Sequence, residues 1–185
     1  MNFIPKLDGV VTENVFTEKE VKKILDTKII NKEDGLVYSS EDEKFINNGS
    51  RKTILYHLSD IDWIKNKILE RVGKINKEHW KFNLVNMLEN PTLMEYKKNS
   101  WYDWHMDIGE IKSEAEILTM RKISYSILLN NDFEGGSLDF QGKSFKNTPI
   151  GTGIFFTSYL IHKVSPVTSG IRRSLVGWVH GQPFS

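Results

Sequence analysis

Cysteine is absent from this chain of 185 residues, which excludes disulfide bonds, thiolate metal ligands and a cysteine nucleophile. No apolar run approaches the roughly 18 residues of a membrane span, and no basic-then-apolar signal segment is found near the N-terminus. The formal net charge is only +1, which argues against a broad electrostatic surface for nucleic acid or for anionic membranes. With 39% hydrophobic residues, the composition is that of a folded globular protein, which we expect to be soluble and cytoplasmic.

Two amphipathic helices are predicted in the N-terminal part of the chain. Thr17 can cap the first, which reaches residue 26, and acidic residues fill its first turn. Ser59 and Asp60 can cap the second, in which apolar residues recur at helical spacing up to Lys77. Residues 35–52 are rich in Gly, Ser, Asn and charged residues, which predicts a loop, followed by a short strand at 51–55.

After Trp80 the pattern changes to short strand-like runs separated by turn residues, with no helix between them. Such a succession is typical of an antiparallel sandwich or barrel, with the helices packed outside one sheet. We therefore expect a single domain over 1–185, with a helical support region at 1–80 and a barrel core at 81–182. The predicted strands are 81–87, 92–97, 102–106, 121–129, 136–140, 143–146, 153–156, 160–164 and 171–180.

A histidine and an aspartate, His105 and Asp107, stand two residues apart in the segment WYDWHMDIGE. Five histidines and 24 acidic residues in 185 positions give about 0.65 such triplets by chance, so the triplet alone decides nothing. On a strand the two side chains would project to the same face, and His162, from a distant strand, is the candidate third ligand. Two histidines and one carboxylate can hold Fe(II) while leaving one face open. The alternatives are a surface or capping pair for His105 and Asp107 and a hydrogen-bonded core histidine for His162.

Arg172 follows His162 across the turn SPVTSGIR and can grip a carboxylate bidentately from the neighbouring strand. Strand alternation directs Ser174 to the same side, so both would face one anionic group, whereas Arg173 would lie in solvent. An ordinary surface arginine on an edge strand is the alternative. The same alternation puts Val176, Trp178 and His180 with Arg172, and Leu175, Gly177 and Val179 on the opposite face.

These residues occur in longer segments that resemble a known family. YKKNSWYDWHMD, RKISYSILLNNDFEGGSLDF, PIGTGIFF and LIHKVSPVTSGIRRSLVGWVHG are similar to the 2-oxoglutarate/Fe(II)-dependent oxygenases, above all to the prolyl 4-hydroxylase-like, PKHD-type branch. The resemblance is strong over residues 80–182 and extends to 1–79 only in general plan. It implies a mainly β protein with flanking N-terminal helices (α+β), built on a double-stranded β-helix, a cupin-like jelly-roll barrel with the metal at its open end.

The resemblance also implies roles for individual residues. His105, Asp107 and His162 would bind Fe(II), and Arg172 would hold the distal carboxylate of 2-oxoglutarate. Other residues would line the co-substrate pocket. Relatives often carry a tyrosine at the position of Leu128, and Ser174 or Ser124 can take its place here. The implied co-substrate-binding residues are Arg172, Tyr96, Ser174, Trp178 and Ser124.

The activity implied is hydroxylation of an unactivated C–H bond, of a prolyl residue in a peptide or protein, with release of succinate and CO2. It requires Fe(II), 2-oxoglutarate and O2, with ascorbate as a reductant. The alternatives are a cupin-like metal enzyme or a non-catalytic jelly-roll module that does not use 2-oxoglutarate, and an oxygenase acting on a small molecule or a nucleic-acid base. We expect a peptide or protein partner, no nucleic acid and no membrane.

Several neighbouring features have ordinary structural explanations. His57, His79 and His180 are expected to be structural, and Gly135-Gly136 is expected to serve a turn. Tyr102 and Trp104 either line a substrate cleft or belong to the core. Residues 108–120 form the connection next to the metal ligands and are predicted to be a mobile lid.

Overall fold

The computed structural model describes residues 9–35, 37–39, 44–46, 49–108 and 120–183. Within these ranges the chain forms two α-helices, α1 (Glu18–Leu25) and α2 (Asp62–Ile75), and α2 continues into a π-helical turn at Asn76–Trp80. The described strands are β1 (Val10–Asn14), β2 (Ile29–Asp34), β3 (Val37–Ser39), β4 (Lys44–Ile46), β5 (Arg51–Lys52), β6 (Ile54–Leu58), β7 (Leu84–Asn86), β8 (Thr92–Lys97), β9 (Trp101–His105), β10 (Met120–Leu128), β11 (Phe133–Gly135), β12 (Leu138–Phe140), β13 (Lys143–Phe145), β14 (Thr152–Thr157), β15 (His162–Val164) and β16 (Val167–Gly181).

The strands form a major and a minor sheet, and every described strand pair in them is antiparallel. The major sheet runs β1-β14-β10-β16-β8-β6-β2, and β7 and β11 also pair with β16. The minor sheet runs β13-β12-β15-β9-β5, and β3 pairs with β4 separately. Because β16 is 15 residues long, it joins β10 and β8 in the centre of the major sheet.

The two faces of the major sheet cover two different apolar clusters. On the outer face, Ile123, Tyr125 and Ile127 of β10 are fully buried under the two helices. The helices contribute Val21, Ile24, Ile64, Ile68 and Val72 to this cluster. The helices therefore pack outside one sheet, as the sequence predicted.

The inner cluster lies between the two sheets. Met94 and Tyr96 of β8 and Phe156 of β14 come from the major sheet, and Leu138 and Phe140 of β12 come from the minor one. Since residues of both sheets are buried against one another, the sheets face each other in the manner of a jelly roll.

Helix α1 begins where the sequence predicted, because Thr17 forms a capping box with Glu20. The start of α2 differs from the prediction. Its N-cap is Ile61, which makes no side-chain capping bond, and neither Ser59 nor Asp60 caps it. Asp60 has a φ of 46°, in the left-handed region, so the helix begins only after it.

The strands after Trp80 lie close to their predicted positions, whereas the N-terminal region contains more strands than expected. β1 and β2 lie in the region interpreted as helix and loop, and the short strand predicted at 51–55 is present as two strands, β5 and β6. All six residues of β2, an edge strand, are exposed, so it shows no apolar alternation by which a sequence pattern could identify it. β11, between Asn131 and Gly136, was also missed. The boundary between 1–80 and 81–182 stays a prediction. In the described part of the chain, neither helix is long and apolar enough to cross a membrane.

Candidate metal centre

Three side chains that can bind a metal converge at one end of the minor sheet. β9 ends at His105 and β15 begins at His162, and these two residues are directly opposite each other in the strand pairing. The carboxylate of Asp107 lies between them, with Oδ1 3.6 Å from His105 Nε2 and Oδ2 3.5 Å from His162 Nε2. One ligand atom from each residue falls within 4.8 Å of the others, a separation compatible with binding to a single ion.

Asp107 does not belong to the strand that carries His105, contrary to the interpretation of the triplet. β9 ends at His105, so the simple alternation of a strand does not place the aspartate. Its amide instead donates a hydrogen bond of 2.9 Å to the carbonyl oxygen of Ser158, in the turn before His162. The carboxylate reaches the two histidines because the chain beyond β9 is bonded across to this turn.

Both imidazoles are oriented by main-chain carbonyls. His105 Nδ1 lies 2.7 Å from the carbonyl oxygen of Asp103, and His162 Nδ1 lies 2.9 Å from that of Leu160. A carbonyl oxygen only accepts, so each Nδ1 must carry the proton and donate it. In a neutral imidazole held in this way, Nε2 carries the lone pair and faces Asp107, which is the arrangement that a metal ligand requires.

The electrostatics of the cluster favour a carboxylate. Burial by itself would raise the pKa of Asp107, but the facing imidazoles of His162 and His105 outweigh it and hold the pKa well below its ordinary value. Burial lowers the pKa of His162 and so favours its neutral form, although the charge of Asp107 opposes this shift. An ionised carboxylate beside a neutral imidazole is the protonation state in which these groups bind a metal.

Aromatic rings enclose the two histidines. Tyr102 stacks on His105 with ring centroids 3.6 Å apart and an interplanar angle of 13°. Phe156 and Phe140 lie against His162 at 4.6 and 5.9 Å. Because both phenylalanines belong to the inner cluster, the metal candidates stand at the edge of the space between the sheets.

Arg172 is buried in the same interior, on the opposing major sheet. It is only 4% exposed, its Nη1 donates a 2.9 Å hydrogen bond to Ser174 Oγ, and its guanidinium carbon lies 5.5 Å from the ring centroid of Tyr96. Among the described residues, no carboxylate lies within ion-pair distance of Arg172, and burial lowers its pKa. A buried cation without a counter-ion is unfavourable, so this position is suited to an anionic ligand.

The other residues predicted around the pocket also lie on the inner face of the major sheet. Tyr96 is opposite Arg172 in the pairing of β8 with β16, and within the described ranges the hydrogen-bond partner of its hydroxyl is the weak acceptor Met94 Sδ, at 3.6 Å. Ser124 and Trp178 are paired between β10 and β16. Ser124 shares a 2.9 Å hydrogen bond with Ser158, whose carbonyl holds Asp107. The structure thus brings Arg172, Ser174 and Tyr96 together, with Ser124 and Trp178 nearer the aspartate.

Gly136 packs against the side chain of Arg172 and does not serve only a turn. Its φ is +59°, and a Cβ added there would lie 2.9 Å from Arg172 Cδ and from Val167 Cγ2. The glycine therefore leaves the space that the arginine side chain fills. For its neighbour Gly135, with φ +74°, the expected turn role holds, because a Cβ would meet the carbonyl oxygen of Pro166 at 2.4 Å.

The remaining histidines have acidic neighbours other than Asp107. His57 lies 2.8 Å from Glu33, His79 lies 3.9 Å from Glu78, and His180 lies 3.3 Å from Glu89. Trp104 is half exposed and carries the ammonium of Lys163 over its ring, so it is not a core residue. Of the predicted lid at 108–120, residues 109–119 lie outside the described residues.

Sequence reasoning missed two residues close to the cluster, Arg121 and Glu89. Arg121 donates to both carboxylate oxygens of Glu89, at 2.7 and 2.6 Å, and to the main-chain carbonyl of Asp107 at 3.3 Å. The two residues are 32 positions apart in sequence, and although Arg121 begins one of the segments that resemble the oxygenases, only the folded chain reveals its contact with Glu89 and Asp107.

Comparison with known proteins agrees with this geometry. Residues 91–180 match the sequence model of the 2OG-Fe(II) oxygenase superfamily. A PKHD-type hydroxylase, Syncc9902_2001 of Synechococcus sp. (strain CC9902), is 30% identical over 103 residues, which are 53% of this chain and 44% of that protein. The chain spans about half the length of the PKHD-type relatives that it matches.

Solved structures share the fold over nearly the whole chain. The viral collagen prolyl hydroxylase of Paramecium Bursaria Chlorella virus-1, in its 2OG complex, superposes with a TM-score of 0.67 at 18% identity, covering 96% of this chain and 99% of that one. A Trichoplax adhaerens prolyl hydroxylase, in complex with a peptide fragment of the hypoxia inducible factor oxygen degradation domain, gives 0.67 at 16% identity over 94% and 84% of the two chains. The predicted double-stranded β-helix is therefore confirmed. The matching core sequence, the fold and the His-Asp-His cluster together support a 2-oxoglutarate/Fe(II)-dependent oxygenase, and the sequence relatives that the chain resembles are PKHD-type hydroxylases.

Proposed function

We propose that this protein is an Fe(II)- and 2-oxoglutarate-dependent dioxygenase that hydroxylates a prolyl residue in a peptide or protein. One observation carries the proposal. A buried His-Asp-His cluster and a buried arginine without a carboxylate partner in the described part of the chain face the same interior from opposite sheets. A metal alone would explain the cluster, but only an anionic ligand explains the arginine.

The residues divide into two groups by what they would hold. His105, Asp107 and His162 would bind Fe(II), because two neutral imidazoles and one carboxylate suit this ion and leave coordination positions free. Arg172, positioned by Ser174, would bind the distal carboxylate of 2-oxoglutarate in a charge-assisted pair. The Tyr96 hydroxyl has a thioether as its hydrogen-bond partner in the described part of the chain and would donate to the same co-substrate.

Trp178 and Ser124 would border the co-substrate on the side of Asp107. The indole nitrogen of Trp178 is buried and has no hydrogen-bond partner among the described residues, so it remains available to a ligand. Ser124 is fully buried and leaves more space than a larger side chain would. Trp178 and Ser124 would complete a pocket in which polar groups surround the elongated dianion 2-oxoglutarate.

When bound, Fe(II) and 2-oxoglutarate supply the oxidation: O2 is consumed, 2-oxoglutarate becomes succinate and CO2, and one oxygen atom is inserted into the substrate C–H bond. The contribution of the chain is to orient the ligands, to neutralise the co-substrate by Arg172 and to keep water from the interior. The aromatic rings of Tyr102, Phe140 and Phe156 serve the last purpose.

A prolyl peptide is favoured as substrate by two considerations. The prolyl hydroxylase of Trichoplax adhaerens, which shares the fold, was solved with a peptide fragment. The near-neutral charge of this chain offers no broad attraction for nucleic acid. The half-exposed Trp104 and the ring of Tyr102 lie beside the metal cluster, where a peptide would pass.

The proposal is tested by anaerobic addition of Fe(II) and 2-oxoglutarate, which should produce the weak visible charge-transfer band of the metal chelate. With O2 and ascorbate, succinate should then accumulate in step with a peptide product that is one oxygen atom heavier. Paired peptides that differ only by proline or alanine at one position form the control. A protein that neither forms the band nor releases succinate in the presence of 2-oxoglutarate would be a cupin-like metal protein instead.

Gly136→Ala should weaken 2-oxoglutarate binding roughly tenfold, because the added methyl displaces the side chain of Arg172 and small misplacements at such sites are expensive. Isothermal titration of the Mn(II)-loaded protein with 2-oxoglutarate measures the change. Gly142→Ala is the matched control, since Gly142 has a φ of +84° but no atom within 4 Å of the added Cβ. Both variants should lose about 1–2 kcal/mol of stability from the left-handed backbone. Equal affinities in the two variants would contradict the contact.

A further inference from the structure

Arg121, on β10, links the main chain of Asp107 to Glu89 and to Trp178. It is the second residue of β10, and its Nη1 donates to the carbonyl oxygen of Asp107 at 3.3 Å. Its Nε and Nη2 donate to the two carboxylate oxygens of Glu89 at 2.7 and 2.6 Å. Its guanidinium carbon lies 3.7 Å from the ring centroid of Trp178.

The main chain of Asp107 needs such support because it lies outside the strand ladder. β9 ends two residues earlier, so neighbouring strands do not fix this segment. Two hydrogen bonds hold the residue from opposite sides: its amide donates to Ser158, and its carbonyl accepts from Arg121. With both neighbouring peptide units held, the Cα of Asp107 is fixed in position, and with it the direction in which the carboxylate leaves the main chain.

The guanidinium of Arg121 is itself held firmly. Two parallel hydrogen bonds to Glu89 fix its plane, and the indole of Trp178 supports one face. Glu89 is held in turn by His180, whose Nε2 lies 3.3 Å from Oε1. Since Arg121 is largely covered, the arrangement has the rigidity that a partner of a metal ligand requires.

We propose that Arg121 is a positioning residue of the metal centre, which holds the main chain of Asp107 so that its carboxylate meets His105 and His162. The inference rests on the metal site of the proposed function. Arg121 does not touch the metal. It acts through the peptide carbonyl of Asp107, and Glu89 and Trp178 fix it in place.

The test compares the Mn(II) affinity of Arg121→Gln with that of the wild-type protein, without 2-oxoglutarate. We expect the dissociation constant to rise about tenfold or more, the usual range for loss of a group that orients a ligand. Arg173→Gln is the matched control. Arg173 also pairs with a glutamate, Glu95, at 3.0 Å, but it lies on the opposite face of β16 from Arg172. It should lose similar thermal stability and bind Mn(II) within about twofold of the wild type.

Two further variants keep the test decisive if Arg121→Gln folds poorly. Arg121→Lys cannot bond to Glu89 bidentately and to Asp107 at once, and Glu89→Gln loosens the arginine while leaving it present. Each should weaken Mn(II) binding, Glu89→Gln the less of the two. Unchanged affinity in a folded Arg121 variant overturns the inference alone. A wild-type protein that binds Mn(II) but never consumes 2-oxoglutarate contradicts the proposed function alone, and one that binds no Mn(II) contradicts both.

Discussion

Asp107→Ala should abolish iron binding and, with it, 2-oxoglutarate-dependent release of succinate. The carboxylate is the only anionic group of the His-Asp-His cluster, and without it two imidazoles alone would have to hold the ion. We expect metal affinity to fall by more than about 100-fold, beyond the range for groups that merely orient a ligand. Equilibrium dialysis with Fe(II) under nitrogen, followed by the succinate assay, measures both effects.

Asp103→Ala is the control for this experiment, because Asp103 is an exposed aspartate on β9, the strand that carries His105. Its main-chain carbonyl accepts the Nδ1 proton of His105, and that carbonyl remains after substitution. Metal binding should therefore persist in Asp103→Ala. If Asp107→Ala still bound Fe(II) as tightly as this control, Asp107 would not be a ligand.

Arg172→Met should leave the metal centre intact while weakening 2-oxoglutarate binding about 100-fold, the order expected for a charge-assisted bidentate contact. The side chain is buried, and its one described hydrogen bond goes to the neutral Ser174. Methionine has a similar length and no charge, so the folded protein is not left with a cavity or with a buried cation. The affinity is measured by titrating 2-oxoglutarate into the anaerobic Fe(II) protein and following the charge-transfer band.

The control is Arg173→Met, on the other face of the same strand, where Arg173 pairs with Glu95. Co-substrate affinity should be unchanged there, although the loss of the ion pair lowers stability slightly. Because β16 alternates, the two variants test the direction of each side chain as well as its charge. A similar affinity in both would mean that Arg172 does not contact the co-substrate, and would favour a metal enzyme that does not use 2-oxoglutarate.

The alternation of side chains between the two faces of each strand is the feature from which this fold could be predicted. β8 lies at its predicted position, and β9, β10 and β16 overlap the predicted segments. The predicted faces of β16 are also confirmed: Arg172 and Ser174 are buried inward, whereas Leu175 and Val179 pack under the helices. Local alternation carries this information because each side chain of a strand is committed to one face.

The elements that escaped prediction lack that local information. β2 is entirely exposed, so it has no apolar face to recognise. Ser59 and Asp60 are good capping residues, yet the left-handed turn at Asp60 moves the helix start beyond them. Pairing with β6 determines where β2 lies, and the backbone conformation of Asp60 determines where α2 begins. Residue preference decides neither.

The sequence by itself determined which side chains are available to bind a metal and an anion. It supplied a histidine and an aspartate two residues apart, a distant histidine and an arginine with an inward serine, and it suggested the family. Only the tertiary structure decided that His162 stands opposite His105 and that Asp107 reaches both, because antiparallel pairing and the contacts of Ser158 and Arg121 bring distant segments together. It likewise decided that Gly136 leaves room for Arg172. Patterns along a chain record the direction of side chains, whereas the distances between them follow from packing.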